Sequence, residues 1–316
     1  MNSVNKEGSS SGKPASATSR SDQFLTANNL RICYSEYGEK NNPAILLIMG
    51  LATQMIAWSD EFCQSLADGG YRVIRFDNRD IGLSEKITNR KPASLPKLML
   101  RRWLGLKLNI PYTLHDMADD AIGILDALKI EKAHFVGASM GGMIAQLITA
   151  KYPCRSLSLT SIMSSSGNPK LPRASSEVTK VIMKRPKTQS ENDIVNHGIK
   201  VWRIIESPDY PTSDELLKTK ILESFRRSHY PQGLINQLVA IIENGDRREF
   251  LRQITAPTLV IHGKADALVP IECGIDTAKY IENSDLKLIE GMGHDLPKEL
   301  VPRLVDMIIQ HIEMVN

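Results

Sequence analysis

The feature that most restricts the fold of this chain is a short turn around Ser139. The segment Gly137-Ala138-Ser139-Met140-Gly141-Gly142 follows the apolar run 133–136 and precedes 143–148, whose apolar spacing is helical. Glycines two residues away on either side of a serine are typical of a sharp strand-to-helix turn, because a side chain there would collide with neighbouring backbone. The pattern predicts a strand that ends in a tight turn, with a helix directly after it.

A turn of this kind can present a reactive hydroxyl. It holds the serine clear of the strand end, and the first amide N–H groups of the following helix lack intrahelical acceptors, so they can stabilise negative charge on a substrate oxygen. A simpler interpretation is that Ser139 only caps the helix. The motif alone leaves both open, and the choice depends on acidic and basic partners further along the chain.

Strand-like and helix-like segments alternate along most of the chain, which predicts an α/β fold with a doubly wound, mostly parallel sheet. Thr113 and Asp116 are spaced as a capping box at the start of one helix. Apolar or β-branched runs predict strands at 30–34, 44–49, 71–76, 133–136, 156–162, 258–262 and 286–289, and helical spacing predicts helices at 58–68, 113–128, 143–148, 271–281 and 300–311.

The domain organisation follows from two interruptions of this alternation. Residues 165–250 contain helix-like pieces and no strand pattern, which predicts a helical cap inserted between two parts of the sheet domain, 21–164 and 251–316. Residues 1–20 are rich in serine and carry almost no large apolar side chain. Such a segment cannot bury enough surface to fold, so we expect a disordered tail.

Composition excludes several classes of function. The chain has 316 residues, of which 42% are hydrophobic and 24% charged, and a net charge of +3, which argues against a nucleic-acid partner. It has no signal-like apolar segment near Met1 and no run of about 18 apolar residues, so we expect a cytoplasmic protein without integral membrane association. Its four cysteines form no C-x-x-C pair and are expected to be free, mostly buried thiols, and the oligomeric state is left open.

Partners for Ser139 occur where the predicted sheet requires them. Reactive groups in a doubly wound sheet gather at the carboxyl ends of the strands. Asp266 follows the strand 258–262 and His294 follows the strand 286–289, in the chain order expected for a serine of this turn type. Taken singly, Asp266 could cap a helix near Pro270 and His294 could be an ordinary loop histidine. Their joint placement predicts a triad of Ser139 as nucleophile, His294 as base and Asp266 as orienting acid.

Two further loops carry candidate residues. Gly50 follows the strand 44–49 and allows a turn that aims the Leu51 N–H at Ser139, so the predicted oxyanion donors are the N–H groups of Leu51 and Met140. The charged loop 77–84 supplies too few oxygen ligands for a metal, and we expect Arg79 to pair there with Asp77 or Asp80. The basic and apolar segment 91–112 is expected to pack on the cap, with a site entrance or a lipid surface as the alternative.

These motifs resemble those of the α/β-hydrolases over about residues 24–311. They are most similar to capped esterases of the aclacinomycin methylesterase kind, in which methionine-glycine replaces the commoner histidine-glycine of the oxyanion loop. The resemblance implies the same roles for Ser139, His294 and Asp266, and it implies that no metal or organic cofactor is needed. It is carried by the segments 48–51, 76–84, 137–142, 262–270 and 291–294, together with Trp58.

The predicted function is that of a serine carboxylesterase, which hydrolyses small to medium apolar esters through an acyl-enzyme. Amide, thioester or carbon–carbon hydrolysis uses the same triad and stays open. So does a ligand-binding protein on a hydrolase scaffold, with negligible turnover. Apolar cap residues could line the substrate pocket or form the cap's own core: Trp202, Ile204, Ile205, Leu216, Leu217, Phe225, Leu234 and Leu238.

Overall fold

The computed structural model describes residues 21–88, 100, 101, 104, 106, 110–184 and 186–314. The predicted tail at 1–20 and most of the segment 91–112 lie outside these residues, so both stay predictions. The strands are β1 (Gln23–Ala27), β2 (Leu30–Tyr37), β3 (Ala44–Ile48), β4 (Arg72–Phe76), β5 (Ala133–Ala138), β6 (Ser156–Ile162), β7 (Thr258–Gly263) and β8 (Ser284–Ile289). The helices are α1 (Asp60–Asp68), α2 (Leu114–Ala127), α3 (Met140–Lys151), α4 (Ser176–Met183), α5 (Glu191–Ile205), α6 (Asp214–Arg227), α7 (Pro231–Asn244), α8 (Arg248–Leu251), α9 (Ile271–Tyr280) and α10 (Val301–Glu313).

The eight strands form one sheet in the order β1-β2-β4-β3-β5-β6-β7-β8. Strand β2 runs antiparallel to both of its neighbours, and the pairs from β4 to β8 are all parallel. The predicted doubly wound, mostly parallel sheet is therefore confirmed. Because β3, β5, β6, β7 and β8 are parallel, the loops that follow them meet at one edge of the sheet.

Helices cover both faces of the sheet, and the central strands supply side chains to both. In β3, Leu46 and Ile48 pack in one apolar cluster with α2 and α3, whereas Ile45 and Leu47 pack in a second cluster with α1 and α10. Every residue of β3 and β5 is buried. This two-sided burial explains why these strands read as continuous apolar runs and not as alternating ones.

Most predicted elements are confirmed, with shifted ends. The capping box at the start of α2 is present, since the Thr113 side chain accepts from the Asp116 N–H and the Asp116 carboxylate accepts from the Thr113 N–H. Strand β1 was not predicted. It pairs with β2 through a turn in which Asn28 and Asn29 have φ angles of 49° and 61°.

Helices α4–α8, here called the inserted helices, occupy the chain between β6 and β7. In the part of the chain that the structure describes, no helix is long and apolar enough to span a membrane. All four cysteines are free; Cys33, Cys63 and Cys273 are buried and Cys154 is exposed. The expectation of free, mostly buried thiols is confirmed.

Candidate active site

Ser139 stands in a strained turn between β5 and α3. Its backbone has φ 57° and ψ −120°, a left-handed conformation that costs a non-glycine residue free energy. The flanking glycines allow the close packing behind it: a Cβ on Gly137 would lie 2.2 Å from the Gly141 carbonyl oxygen, and a Cβ on Gly141 would lie 2.0 Å from that of Ile48. A side chain at either position would collide with backbone atoms, which cannot move aside as a flexible side chain could. Both positions therefore require glycine.

The Ser139 hydroxyl faces a histidine. Its Oγ lies 3.0 Å from Nε2 of His294. Although Ser139 occupies the N-cap position of α3, its side chain makes no capping hydrogen bond within the described residues. The Ser139 carbonyl in turn accepts a hydrogen bond from Ser164 Oγ at 2.8 Å, so the loop after β6 supports the turn. The simpler interpretation of Ser139 as a helix cap does not describe its contacts.

Asp266 and His294 form the next link. His294 Nδ1 lies 2.7 Å from Asp266 Oδ2, and both residues are buried, with 8% and 6% of their surface exposed. A carboxylate can only accept, so Nδ1 carries the hydrogen and donates it to Asp266. Nε2 is then free to accept the hydrogen of the Ser139 hydroxyl. The structure brings the three predicted residues together in one chain of hydrogen bonds.

The Asp266 carboxylate is itself held in place. Its Oδ1 accepts hydrogen bonds from the backbone N–H groups of Leu268 at 2.9 Å and Val269 at 2.7 Å. Helix α9 begins at Ile271, with Pro270 as N-cap, so Asp266 does not cap it. One carboxylate oxygen is fixed by the loop after β7, which leaves the other for His294.

A second histidine lies near Asp266 without displacing His294. His262 Nε2 is 2.8 Å from the Val269 carbonyl oxygen and 3.6 Å from Asp266 Oδ2. Burial lowers the pKa of His262, so the neutral ring is favoured and its Nε2–H donates to Val269. His294 therefore keeps the short contact with Asp266.

The turn after β3 and the start of α3 lie beside Ser139. A Cβ on Gly50 would stand 3.1 Å from the Ser139 Cβ and 3.5 Å from its Oγ, which brings the turn after β3 against the hydroxyl. Helix α3 begins at Met140, so the Met140 N–H is one of the first-turn amides that have no intrahelical acceptor. Gly50 and Met140 therefore lie next to the Ser139 side chain, and the oxyanion role of the Leu51 and Met140 N–H groups stays a prediction.

The prediction for Arg79 is wrong. Its guanidinium forms a paired contact with Asp120 on α2, with Nε–Oδ2 at 2.6 Å and Nη2–Oδ1 at 2.5 Å. Asp77 instead pairs with Arg227 of the inserted helices, 2.7 Å from its Nη1, and Asp80 accepts from Asn236 at 2.8 Å. The side-chain partners of Arg79, Asp77 and Asp80 are distant in sequence, so local spacing cannot reveal them. Among the residues that the structure describes, no group of three or more His, Cys, Asp or Glu side chains is arranged to hold a metal ion.

Two contacts of the site were missed by the sequence pattern. Ser207, in the loop after α5, donates from its N–H to Asp295 Oδ1 at 3.0 Å and also from its hydroxyl to that oxygen, and its Oγ accepts the Gly293 N–H at 2.8 Å. Burial raises the pKa of Asp295 to about 6.

The second contact is Gln237 on α7, which accepts the Ala52 N–H at 2.8 Å. A glutamine within an otherwise apolar helix face was the available signal.

The chain matches known proteins along most of its length. Residues 43–299 fit the sequence profile described as alpha/beta hydrolase fold. The chain is 26% identical over 309 residues to rhodomycin D methylesterase DauP of Streptomyces sp. strain C5, covering 92% of this chain and 97% of that protein. It is 27% identical over 259 residues to 3-oxoadipate enol-lactonase 1 of Acinetobacter baylyi, covering 80% and 83%.

Solved structures share the fold. A meta-cleavage product hydrolase from Pseudomonas fluorescens IP01 superposes with a TM-score of 0.70 at 21% identity, covering 93% of this chain and 98% of that chain. The enol-lactonase from Burkholderia xenovorans LB400 gives a TM-score of 0.70 at 21% identity, covering 92% and 100%. At this identity the likeness concerns the architecture alone.

Proposed function

Since the chain belongs to the alpha/beta hydrolase fold family, we propose that it is a serine carboxylesterase that hydrolyses small to medium apolar esters. The observation that carries the proposal is the continuous hydrogen-bond chain from Ser139 Oγ through His294 to Asp266, with distances of 3.0 and 2.7 Å. A nucleophile, a base and an orienting acid at such distances are what acyl transfer through a covalent intermediate requires.

The first half of the reaction forms the acyl-enzyme. Ser139 Oγ attacks the ester carbonyl carbon while His294 Nε2 takes the hydroxyl proton. Asp266 holds the imidazole through Nδ1 and stabilises its charged form. The carbonyl oxygen becomes an oxyanion, which the N–H groups of Leu51 and Met140 stabilise, and Gly50 leaves the space for it. His294 then gives its proton to the departing alkoxide, so that the alcohol leaves.

The second half releases the acid. A water takes the place of the alcohol, gives a proton to His294 Nε2 and attacks the acyl carbon. The oxyanion forms again between the same two donors and collapses, and His294 returns the proton to Ser139 Oγ. The free enzyme is regenerated without a metal or an organic cofactor.

In this proposal the inserted helices are the cap over the active site, and their side chains determine which substrate binds. The relatives named a methylesterase and an enol-lactonase are both named for ester substrates, which supports an ester here. Leu216 is 40% exposed and Leu217 is fully buried, so the proposed apolar lining rests on the other six residues. Leu217 is fully buried and belongs to the cap's own packing.

The test is turnover of p-nitrophenyl esters with acyl chains of two to ten carbons, beside matched amide and thioester substrates. We expect hydrolysis of the esters with an optimum at short to medium chains, and its loss in Ser139→Ala. Preference for the amide or thioester would reassign the reaction while keeping the triad. Tight binding of these compounds with turnover near zero would instead favour a ligand-binding protein and refute the proposal.

A further inference from the structure

The turn that carries the proposed oxyanion donor Leu51 contains a strained residue. Thr53 N donates to the Gly50 carbonyl at 3.3 Å, which closes a four-residue turn, and Thr53 Oγ1 donates to the Leu51 carbonyl at 3.0 Å. Ala52, the third residue of this turn, has φ 56°. Turns with a positive φ at that position favour glycine, because a Cβ there is strained. Something outside the turn has to hold Ala52 in this conformation.

That contact comes from the inserted helices. Gln237 of α7 is fully buried, its Oε1 accepts the Ala52 N–H at 2.8 Å, and its Nε2 donates to the Arg79 carbonyl at 3.0 Å. An N–H can only donate and a carbonyl can only accept, so the orientation of the Gln237 amide is determined by its two partners. The side chain fixes the peptide that joins Leu51 to Ala52.

Two hydrogen bonds from the sheet domain hold the ends of this loop, and the Leu51 side chain packs against the apolar core. Asn78 Nδ2 donates to the Met49 carbonyl at 2.9 Å, and Asp77 Oδ1 accepts the Met55 N–H at 2.8 Å. The middle of the loop, at Ala52, is held by Gln237. A residue of the inserted helices therefore fixes the peptide that directly follows the one carrying the Leu51 N–H.

Gln54, two residues after Ala52, also connects this loop to the inserted helices. Gln54 Nε2 donates to the carbonyls of Ser224 at 2.6 Å and Ser228 at 3.0 Å, and Gln54 Oε1 accepts from Arg227 Nη1 at 2.7 Å. These three partners lie at the end of α6 and just beyond it. Two separate inserted helices thus contact the oxyanion loop through its polar side chains and backbone.

We propose that Gln237 is a positioning residue of the oxyanion site, which acts by holding Ala52 in its left-handed conformation so that the Leu51 N–H faces Ser139. The proposal rests on the esterase function proposed above. Gln237 acts through the loop and not on the substrate, so its loss affects the charged transition state more than ground-state binding. Docking of the inserted helices onto the sheet domain then completes the oxyanion site, and the cap contributes to rate as well as to substrate choice.

The experiment compares Gln237→Leu with Asn236→Leu. Asn236 is the matched control, because it is the neighbouring residue on α7, is fully buried, and also hydrogen-bonds a loop of the sheet domain, through Asp80. Each variant is assayed for kcat and KM with p-nitrophenyl butyrate, and for inhibition by 2,2,2-trifluoroacetophenone, whose adduct with serine carries an oxyanion. Thermal unfolding of both variants measures any general loss of stability.

We expect Gln237→Leu to lower kcat by about 10- to 100-fold, a fraction of the effect of deleting a whole oxyanion donor, with KM within about threefold of the wild type. Affinity for the trifluoromethyl ketone falls by the same factor as kcat. Asn236→Leu leaves both within about threefold. If Gln237→Leu cannot be purified folded, Gln237→Met, which keeps the chain length without the amide, carries the same expectation.

A rescue variant separates positioning from general structural support. Glycine adopts a positive φ without strain, so Ala52→Gly in the Gln237→Leu background should restore most of the lost kcat and inhibitor affinity. If the wild type is active and Gln237→Leu and Asn236→Leu have equal kcat and equal inhibitor affinity, the positioning role of Gln237 is refuted. The proposed esterase function is then unaffected. A wild type that hydrolyses no ester would refute the proposed function, and the inference with it.

Discussion

Asp295, next to the proposed catalytic His294, is a buried carboxylate, and the substitution Asp295→Asn removes its charge. Its Oδ1 accepts two hydrogen bonds from Ser207, whereas its Oδ2 is buried and has no hydrogen-bond partner among the described residues. Asparagine has the shape of the protonated acid, and its Oδ1 can accept the same two bonds. Asp295→Asn therefore replaces a carboxylate by a neutral group while keeping the contacts to Ser207.

The expected magnitude follows from the pKa. Burial raises the pKa of Asp295 from 3.8 in the unfolded chain to about 6 in the folded protein, with Glu206 adding to the rise and Ser207 and His294 opposing it. Because the native state holds the proton more tightly, this group's contribution to stability is complete below about pH 4 and is lost as the pH rises through about 6. The rise of about two pKa units means that ionised Asp295 lowers the free energy of unfolding by about 3 kcal/mol at neutral pH.

The assay is thermal unfolding of the wild type and of Asp295→Asn from pH 4 to pH 8. We expect equal Tm values near pH 4 and, above pH 6, a higher Tm for the variant by about 4–5 °C in a chain of this length. Asp285→Asn is the control, because that side chain is 54% exposed and pairs with Lys287 at the surface, where we expect a change below about 0.5 kcal/mol. Parallel Tm curves for the wild type and Asp295→Asn, or a variant less stable at pH 7, would refute the reasoning.

Three other substitutions have defined outcomes. Arg227→Met leaves the fully buried Asp77 carboxylate without its ion-pair partner and should lower the free energy of unfolding by about 3–5 kcal/mol, part of which Asp77→Asn in the same chain recovers in urea unfolding. Gly141→Ala places a Cβ 2.0 Å from the Ile48 carbonyl oxygen and should cost about 1–3 kcal/mol together with esterase activity, measured by Tm and turnover. Asp266→Asn should lower kcat by about 10⁴-fold with little change in Tm, because the imidazole of His294 loses the acceptor that sets its tautomer.

Much of the sheet could be predicted because the relevant signals are local. Continuous apolar runs mark β3 and β5, whose residues are buried on both faces, and the glycines around Ser139 mark a turn that contacts backbone atoms. Strand β1 lies at the edge and alternates in burial, so its apolar signal is weak. The Asn28-Asn29 pair was an available clue, since both residues adopt the positive φ angles that a two-residue hairpin turn needs.

The proposed triad could be placed for a similar reason. Parallel strands bring their carboxyl ends to one edge, so Asp266 and His294 could be assigned to that edge from the strands that precede them. Their supporting contacts could not. Arg79 meets Asp120, Asp295 meets Ser207, and these partners come together only after the helices pack on the sheet.

Labelling of the intact protein by a fluorophosphonate, followed by peptide mass spectrometry, tests directly whether Ser139 is the nucleophile. The predicted result is one adduct per chain on Ser139, absent from Ser139→Ala and from heat-denatured wild type, and formed more slowly in Asp266→Asn. An unlabelled wild type, or an adduct on another residue that persists in Ser139→Ala, would contradict the assignment of Ser139 as the nucleophile.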